Sequence, residues 1–246
     1  MSHSTLDTPG GPIAYHKTNG DGPTIVFCGG FMSDMEGSKA VALEAHAKAT
    51  GRPYVRFDYR GHGSSSGTFR DLVISAWLAD TLHVLDEVAG DDILLIGSSM
   101  GGWIALQAAL ARKARVKGLI LIAPAPEFTQ RLMEPSFSAE ERAAMARDGF
   151  IAQPTDYGPE PYIITQRLID DGKTLGLLHA PIELSCPVRI LHGQQDTSVP
   201  WDLSLEIADT LATPDVVVTF VKEGDHSFSG PEDLVQLLAT VDGLLG

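Results

Sequence analysis

The sequence predicts an α/β protein, a mostly parallel sheet covered by helices on both faces. Three observations carry that prediction. Short apolar, β-branched runs recur along the chain at Thr24–Phe27, Tyr54–Phe57, Ile93–Ile96, Val116–Ile122, Val188–Leu191 and Val216–Val221. Most are apolar throughout rather than alternately, as expected of strands buried on both sides. Between them lie stretches of helical period and glycine-rich turns, the alternation that builds a parallel sheet. A length of 246 residues suits one such domain carrying an insertion better than two independent domains.

In order, Ile13–Lys17 reads as a leading strand, bounded by Gly10-Gly11-Pro12 and by Asn19-Gly20-Asp21-Gly22-Pro23. The Thr24–Phe27 strand runs into Cys28-Gly29-Gly30-Phe31-Met32. A helix is expected from about Ser33 to Thr50, with Ser33 and Glu36 spaced as a capping box. After the Tyr54–Phe57 strand come Asp58-Tyr59-Arg60-Gly61-His62-Gly63, where an Asp58–Arg60 pair bracing a tight turn is expected. Ile74, Trp77, Leu78, Leu82, Leu85 and Val88 place one apolar face on a helix from Asp71 to Val88. The Ile93 strand, an Ala-rich helix and the Val116 strand follow.

The rhythm then breaks. From Pro124 to Ser185 no strand-like run is evident and prolines accumulate. Helices are expected at Ser138–Arg147, opened by a capping box of Ser138 and Glu141, and at Pro161–Asp171, with proline near the first turn. The division that results is a core of residues 1–123 and 186–246 with a helical cap of residues 124–185; the alternative is a long connection packed on the sheet edge. Sheet rhythm resumes with Val188–Leu191, a helix near Trp201–Leu211, the last strand Val216–Val221 and a closing helix Pro231–Leu245.

Composition excludes several functions. The net charge of −14 supplies no basic stripe for nucleic acid and no attraction to anionic lipid. Cys28 and Cys186 lack metal or disulfide spacing and are expected as buried free thiols. Neither a metal nor an organic cofactor is called for. The first residues lack the features of a signal peptide or presequence, and no apolar run is long enough to span a membrane. The expectation is a cytoplasmic protein without stable membrane association.

The chemistry centres on Gly97-Ser98-Ser99-Met100-Gly101, a G-x-S-x-G run between an apolar strand and an Ala-rich helix. By chance such a run arises in a chain this long on the order of one time in ten, so the flanking elements make the signal specific. Strand, turn and helix form a nucleophile elbow, which lifts Ser99 above the strand end at the positive end of the helix. A serine hydroxyl needs a base within reach, and on this scaffold acid and histidine follow the nucleophile in that order. His179, His192 and His226 follow Ser99, and His226 alone also follows a strand-end acid. Asp196, in the loop leaving the penultimate strand, is the orienting carboxylate; Asp202 is the next candidate, and Asp225 is too close in sequence to pair without strain. His192 is expected to shape its loop. The oxyanion donors are expected to be the backbone N–H groups of Met100 and Phe31.

These residues resemble the α/β-hydrolase superfamily along essentially the whole chain. A closer likeness is to the branch of the mitochondrial acyl-protein thioesterase that also acts as a mycophenolic acid acyl-glucuronide esterase. It rests on Gly30-Phe31, Met35-Glu36-Gly37-Ser38-Lys39-Ala40, Arg56-Phe57-Asp58-Tyr59, Gly97 through Trp103, Cys186 through Gly193, Val199-Pro200-Trp201 and Asp225-His226. The resemblance implies an eight-stranded sheet under a small helical cap, a triad of Ser99, Asp196 and His226, and oxyanion donors at Phe31 and Met100. Cys28-Gly29-Gly30 replaces the His-Gly found in many hydrolases, which alters pocket shape but not the backbone donors. The expected partners are small ester or acyl-thioester substrates, acylated proteins among them. Two rivals remain: an aminopeptidase or amidase using Glu127, Glu134 or Glu160 to hold an amine, and a non-catalytic binding module.

Overall fold

The computed structural model describes residues 3–154 and 161–246. Eight strands form one sheet in the order β1 (Ser4–Leu6), β2 (Ile13–Thr18), β4 (Tyr54–Phe57), β3 (Thr24–Cys28), β5 (Ile93–Ser98), β6 (Val116–Ile122), β9 (Val188–Gly193) and β10 (Val216–Val221). β1 and β2 pair antiparallel, as do β2 and β4; every other pairing is parallel. This is the mostly parallel sheet the apolar runs predicted.

The period-two geometry of the strands feeds two separate cores. In β5, Leu94 and Ile96 face one layer, where they meet Ala40, Leu43 and Ala47 of α1 (Ser38–Thr50) and Leu237 and Val241 of α8 (Pro231–Leu245). Ile93 and Leu95 face the other layer, formed by α2 (Ile74–Glu87), α3 (Met100–Ala111) and α7 (Leu203–Thr210). α3 is apolar all round because it is buried all round: nine of its residues, Trp103 and Ile104 among them, are shielded from solvent.

Two local expectations are corrected. α1 begins at Ser38, not Ser33, and its N-cap is Gly37 without a side-chain cap. Ser33 Oγ donates to the Gly30 carbonyl instead (2.8 Å), and Glu36 pairs with Arg56 (2.7 Å). Asp58 and Arg60 do not pair with each other. Asp58 accepts the N–H groups of Met35 (2.6 Å) and Ser64 (2.7 Å), while Arg60 joins the buried Asp80 at 2.6 Å.

The described residues of the 124–185 segment take no part in the large sheet. They form a π-helical stretch (Thr129–Met133), α4 (Glu134–Ser136), α5 (Ala139–Asp148) and α6 (Gln166–Lys173). The Ser138–Glu141 capping box is present at the start of α5. The reading of this segment as free of strands is wrong: β7 (Phe150–Gln153) pairs antiparallel with β8 (Tyr162–Thr165). The helix expected from Pro161 starts instead at Gln166, because Tyr162-Ile163-Ile164-Thr165 is aromatic and β-branched and favours the extended chain. The segment is fastened to the core. Trp103 Nε1 and Gln107 Nε2 both donate to the Leu175 carbonyl (3.1 and 2.7 Å), and Asp171 accepts from the backbone N–H and hydroxyl of Ser75. Cys28 and Cys186 are both free and buried. Among the described residues, no helix is long and apolar enough to cross a membrane.

Candidate active site

The turn between β5 and α3 bends sharply at Ser99, whose φ of 54° and ψ of −120° lie outside the regions L-residues favour. Such a conformation costs on the order of 1–3 kcal/mol and survives only because its neighbours leave room for it. A Cβ on Gly97 would stand 2.2 Å from the Gly101 carbonyl oxygen, and one on Gly101 would stand 2.1 Å from that of Cys28. The Ser99 N–H donates to Ile122 O at 2.9 Å, and its carbonyl accepts from Gly102 and Ala125 (2.9 and 3.1 Å). The hydroxyl is thereby fixed above the end of the central strand.

The end of the sheet brings two further residues to that hydroxyl. His226, in the loop after β10, lies with Nε2 at 3.0 Å from Ser99 Oγ. Its Nδ1 is 2.7 Å from Asp196 Oδ2, in the loop after β9. A carboxylate only accepts, so Nδ1 carries the proton and Nε2 is left to accept from the serine. Asp196 Oδ1 accepts the N–H groups of Ser198 and Val199, both at 2.8 Å, and its side chain is fully buried. Burial by itself would raise the pKa of this acid. The hydrogen bonds from His192 and His226, the His226 charge and the Val199 N–H overcome that and hold the carboxyl below the usual range. Asp225 instead accepts the Phe228 N–H at 3.0 Å and shapes the turn after His226. Asp202 stands at the N-cap of α7, and no bond joins it to His226 among the described residues.

His192 does more than its sequence position suggested. It is fully buried, its Nε2 lies 3.0 Å from Asp196 Oδ2, and its Nδ1 lies 2.7 Å from Ser204 Oγ. Only its placement four residues before Asp196 at a strand end could have pointed to this contact.

A cleft of about 430 Å³ opens beside Ser99, with walls that include Phe31, Met32, Lys39, Tyr162 and His226. Met100 is the first residue of α3, so its N–H belongs to the turn that a helix leaves without internal acceptors. Phe31 lies in the loop after β3, and its ring meets Phe69, Tyr162 and Phe128 at 4.9, 5.4 and 5.5 Å between centroids. The next residue, Met32 (φ 57°), donates its N–H to His62 Nε2 at 3.2 Å. Burial pushes the His62 pKa down to about 4, which keeps that nitrogen an acceptor at neutral pH. In the sequence His62 stands between two glycines of a tight turn, and nothing in that pattern points to the Met32 contact. Lys39 closes the far side: its Nζ donates to the Ser227 carbonyl and lies 3.4 Å from Ser229 Oγ, and burial lowers its pKa to about 8.

A sheet of this order with a strained serine after its central strand invites comparison with known proteins. The family model described as the alpha/beta hydrolase family matches residues 25–237. The chain belongs to the alpha/beta hydrolase family. Among relatives of this hydrolase, the mouse palmitoyl-protein thioesterase ABHD10, mitochondrial, is 40% identical over 95% of the chain and 78% of its own length. Two solved structures are similar throughout. A hydrolase structure from Agrobacterium vitis S4 has a TM-score of 0.94 at 39% identity, covering 100% of this chain and 98% of that one. Mouse alpha/beta hydrolase domain-containing protein 10 has a TM-score of 0.91 at 38% identity, covering 99% and 98%. The resemblance read from Gly30-Phe31, Gly97–Trp103 and Cys186–Gly193 is thus shown.

The cytoplasmic location expected from the N-terminal composition is overturned. The mouse, rat and human relatives, matching 95–99% of the chain, are all named as mitochondrial. An acidic α/β domain with two buried thiols suits more than one reducing compartment, so its composition encodes no address.

Proposed function

We propose that this hydrolase cleaves carboxylic esters or thioesters through an acyl-enzyme formed on Ser99. One observation carries the reading: a single run of hydrogen bonds from Ser99 Oγ to His226 Nε2 and from His226 Nδ1 to Asp196, built on an elbow turn. In the reaction, Ser99 attacks the acyl carbon while His226 Nε2 takes its proton. Asp196 holds the imidazole in the tautomer this needs and stabilises the imidazolium that results. The negative charge that develops on the acyl oxygen is met by the N–H groups of Met100 and Phe31, each worth about 3–4 kcal/mol in the transition state. His226 then protonates the departing alcohol or thiol, and water repeats the cycle to release the acid. The names of the relatives, palmitoyl-protein thioesterases, support an acyl substrate, acylated proteins included.

In this reading residues 124–185 form a cap over the core of residues 1–123 and 186–246, and Tyr162 of the cap lines the cleft. The amidase alternative needs a cap acid aimed at a substrate amine. Glu127 Oε1 is instead engaged by the N–H groups of Leu177 and Leu178 (2.6 and 2.9 Å), and Glu134 pairs with Lys173 at 3.0 Å. Glu160 lies outside the described residues. A binding module has no need of an aligned serine, histidine and acid.

A fluorophosphonate probe tests the proposal directly. The wild-type chain is expected to be labelled and to hydrolyse p-nitrophenyl esters, and Ser99→Ala to lose both properties. A wild type that neither reacts nor hydrolyses any ester or thioester in a graded panel would sink it.

A further inference from the structure

The acid of the hydrogen-bonded run is shared between two histidines. Asp196 Oδ2 faces His226 Nδ1 at 2.7 Å and His192 Nε2 at 3.0 Å. A carboxylate has no proton to give, so both ring nitrogens donate to the same oxygen. That fixes the tautomer of His192: Nε2 carries the hydrogen and Nδ1 is the acceptor for the Ser204 hydroxyl at 2.7 Å. His192, Ser204 and the Asp196 side chain are all fully buried. Inside this region no solvent stands ready to replace a lost donor. We propose that His192, oriented by Ser204 of α7, is a positioning residue of the hydrolytic site, and that its N–H on Asp196 sets how tightly His226 keeps its proton. The inference rests on the serine hydrolase reading given above.

The physical argument turns on what the second donor does to the first. Two N–H groups on one oxygen divide its negative charge, and each weakens the pull on the other. Removing His192 Nε2–H leaves Oδ2 to His226 alone. Oδ1 stays anchored by the Ser198 and Val199 N–H groups, so the carboxylate keeps its place while its field at His226 grows. His226 then holds its proton to higher pH, and the acid limb of hydrolysis moves up. Other charged groups near His226 are untouched by such a change. They are Lys39 of α1, bonded to the Ser227 carbonyl; Asp225 beside it; Asp233 of α8, which with Asp225 faces Lys39; and Asp34 across the cleft. A purely structural His192, bracing the loop through its 3.2 Å contact with the Val199 carbonyl, would change stability and leave the pH profile where it was.

The test measures kcat/KM for a p-nitrophenyl ester against pH on the full chain, for the wild type, His192→Phe, His192→Gln and Ser99→Ala. Phenylalanine keeps the ring and removes the donor; glutamine carries an amide N–H close to the position of Nε2. The acid limb of His192→Phe is expected to rise by about 0.5–1 pH unit, with the plateau within about tenfold of wild type. His192→Gln is expected to return the limb close to the wild-type position. Coincident limbs for wild type and His192→Phe, or equal displacement in both variants, would overturn the inference. Should His192→Phe fail to fold, imidazole ¹⁵N NMR of the wild type decides: His192 must be neutral and protonated on Nε2, and a ring protonated on Nδ1 overturns the proposal. An inactive wild type, or an active Ser99→Ala, would instead bring down the serine hydrolase reading itself.

Discussion

On the sheet side of the cleft, Ser99, His226 and Asp196 are held by strand ends and by hydrogen bonds that run from one residue to the next. On another wall of the cleft, Phe31 and Met32 are held by ring contacts from Phe31 to Phe69, Phe128 and Tyr162, and by the acceptor His62. The first wall is directional: each donor has one acceptor, and misplacing one atom breaks the run. The second is mostly non-directional packing, which tolerates small shifts with small losses. In the proposed mechanism, proton transfer needs the first kind of wall, and the second shapes the space for the acyl group. The two walls should therefore respond differently to substitution.

The largest difference is expected from Asp196→Asn. Asparagine keeps the shape, but an amide nitrogen turned toward His226 favours the wrong imidazole tautomer, and the charge that stabilises the imidazolium is gone. In the proposed mechanism kcat falls roughly 10³–10⁴-fold, with ester KM little changed. A rate within tenfold of wild type would show that another group orients His226, and would remove the distinction between the walls.

His62→Phe probes the hydrogen bond made by the Met32 N–H on the second wall. The ring still fills the space beside Phe69 and Trp77, with centroids both at 5.1 Å in the native protein, but the Met32 N–H loses its acceptor. This hydrogen bond is part-buried, and losing it costs about 0.5–1.5 kcal/mol; in the proposed mechanism the loop after β3 is expected to shift, lowering kcat by up to about tenfold. The same residue has a signature in stability. Burial holds its pKa in the folded protein at about 4, below the ordinary histidine value of about 6.5, so between those values the unfolded chain binds a proton that the folded one refuses. His62 therefore destabilises progressively as pH falls from about 6.5 to 4, by up to about 3 kcal/mol, and contributes nothing to the slope above that window. Melting temperatures of His62→Phe should decline less steeply than wild type across that window. Parallel curves would mean that the nitrogen is hydrated and the loop is braced otherwise.

The contrast between the walls also explains what the sequence could disclose. β6, β10 and α8 have the boundaries their apolar patterns predicted: β6 is buried along almost its whole length, the half-buried β10 is an unbroken β-branched and aromatic run, and α8 buries one stripe through Leu237 and Val241. Ser99, Asp196 and His226 were legible because the elbow turn fixes the position of the serine and the order of its partners. His192 was not, since its role depends on β9 bringing its ring back onto the residue four places later. β7 and β8 are four residues each, too short to show a period, and the proline before Tyr162 imitates a helix start. The Ser33–Glu36 spacing misled for a similar reason. Both side chains found stronger partners, the Gly30 carbonyl and the Arg56 guanidinium, than a helix end could offer. Short-range patterns are overridden wherever tertiary partners compete for the same polar groups.

Tyr162→Ala is expected to have the smallest effect, and it tests whether the proposed cap acts through substrate fit alone. Tyr162 lines the cleft and meets the Phe31 ring edge-on at 5.4 Å, but no hydrogen bond of its side chain reaches Ser99, His226 or Asp196. Losing one such aromatic contact is worth about 0.5–1.5 kcal/mol, which is about 2–10-fold. If packing only shapes the pocket, the loss falls on KM, and more heavily for bulky acyl groups than for acetyl, while kcat for the acetyl ester stays within about twofold. A kcat loss as large as that of His62→Phe, equal for all acyl groups, would mean that Phe31 needs the tyrosine ring to hold its N–H in line. The cap would then belong to the catalytic geometry rather than to substrate selection.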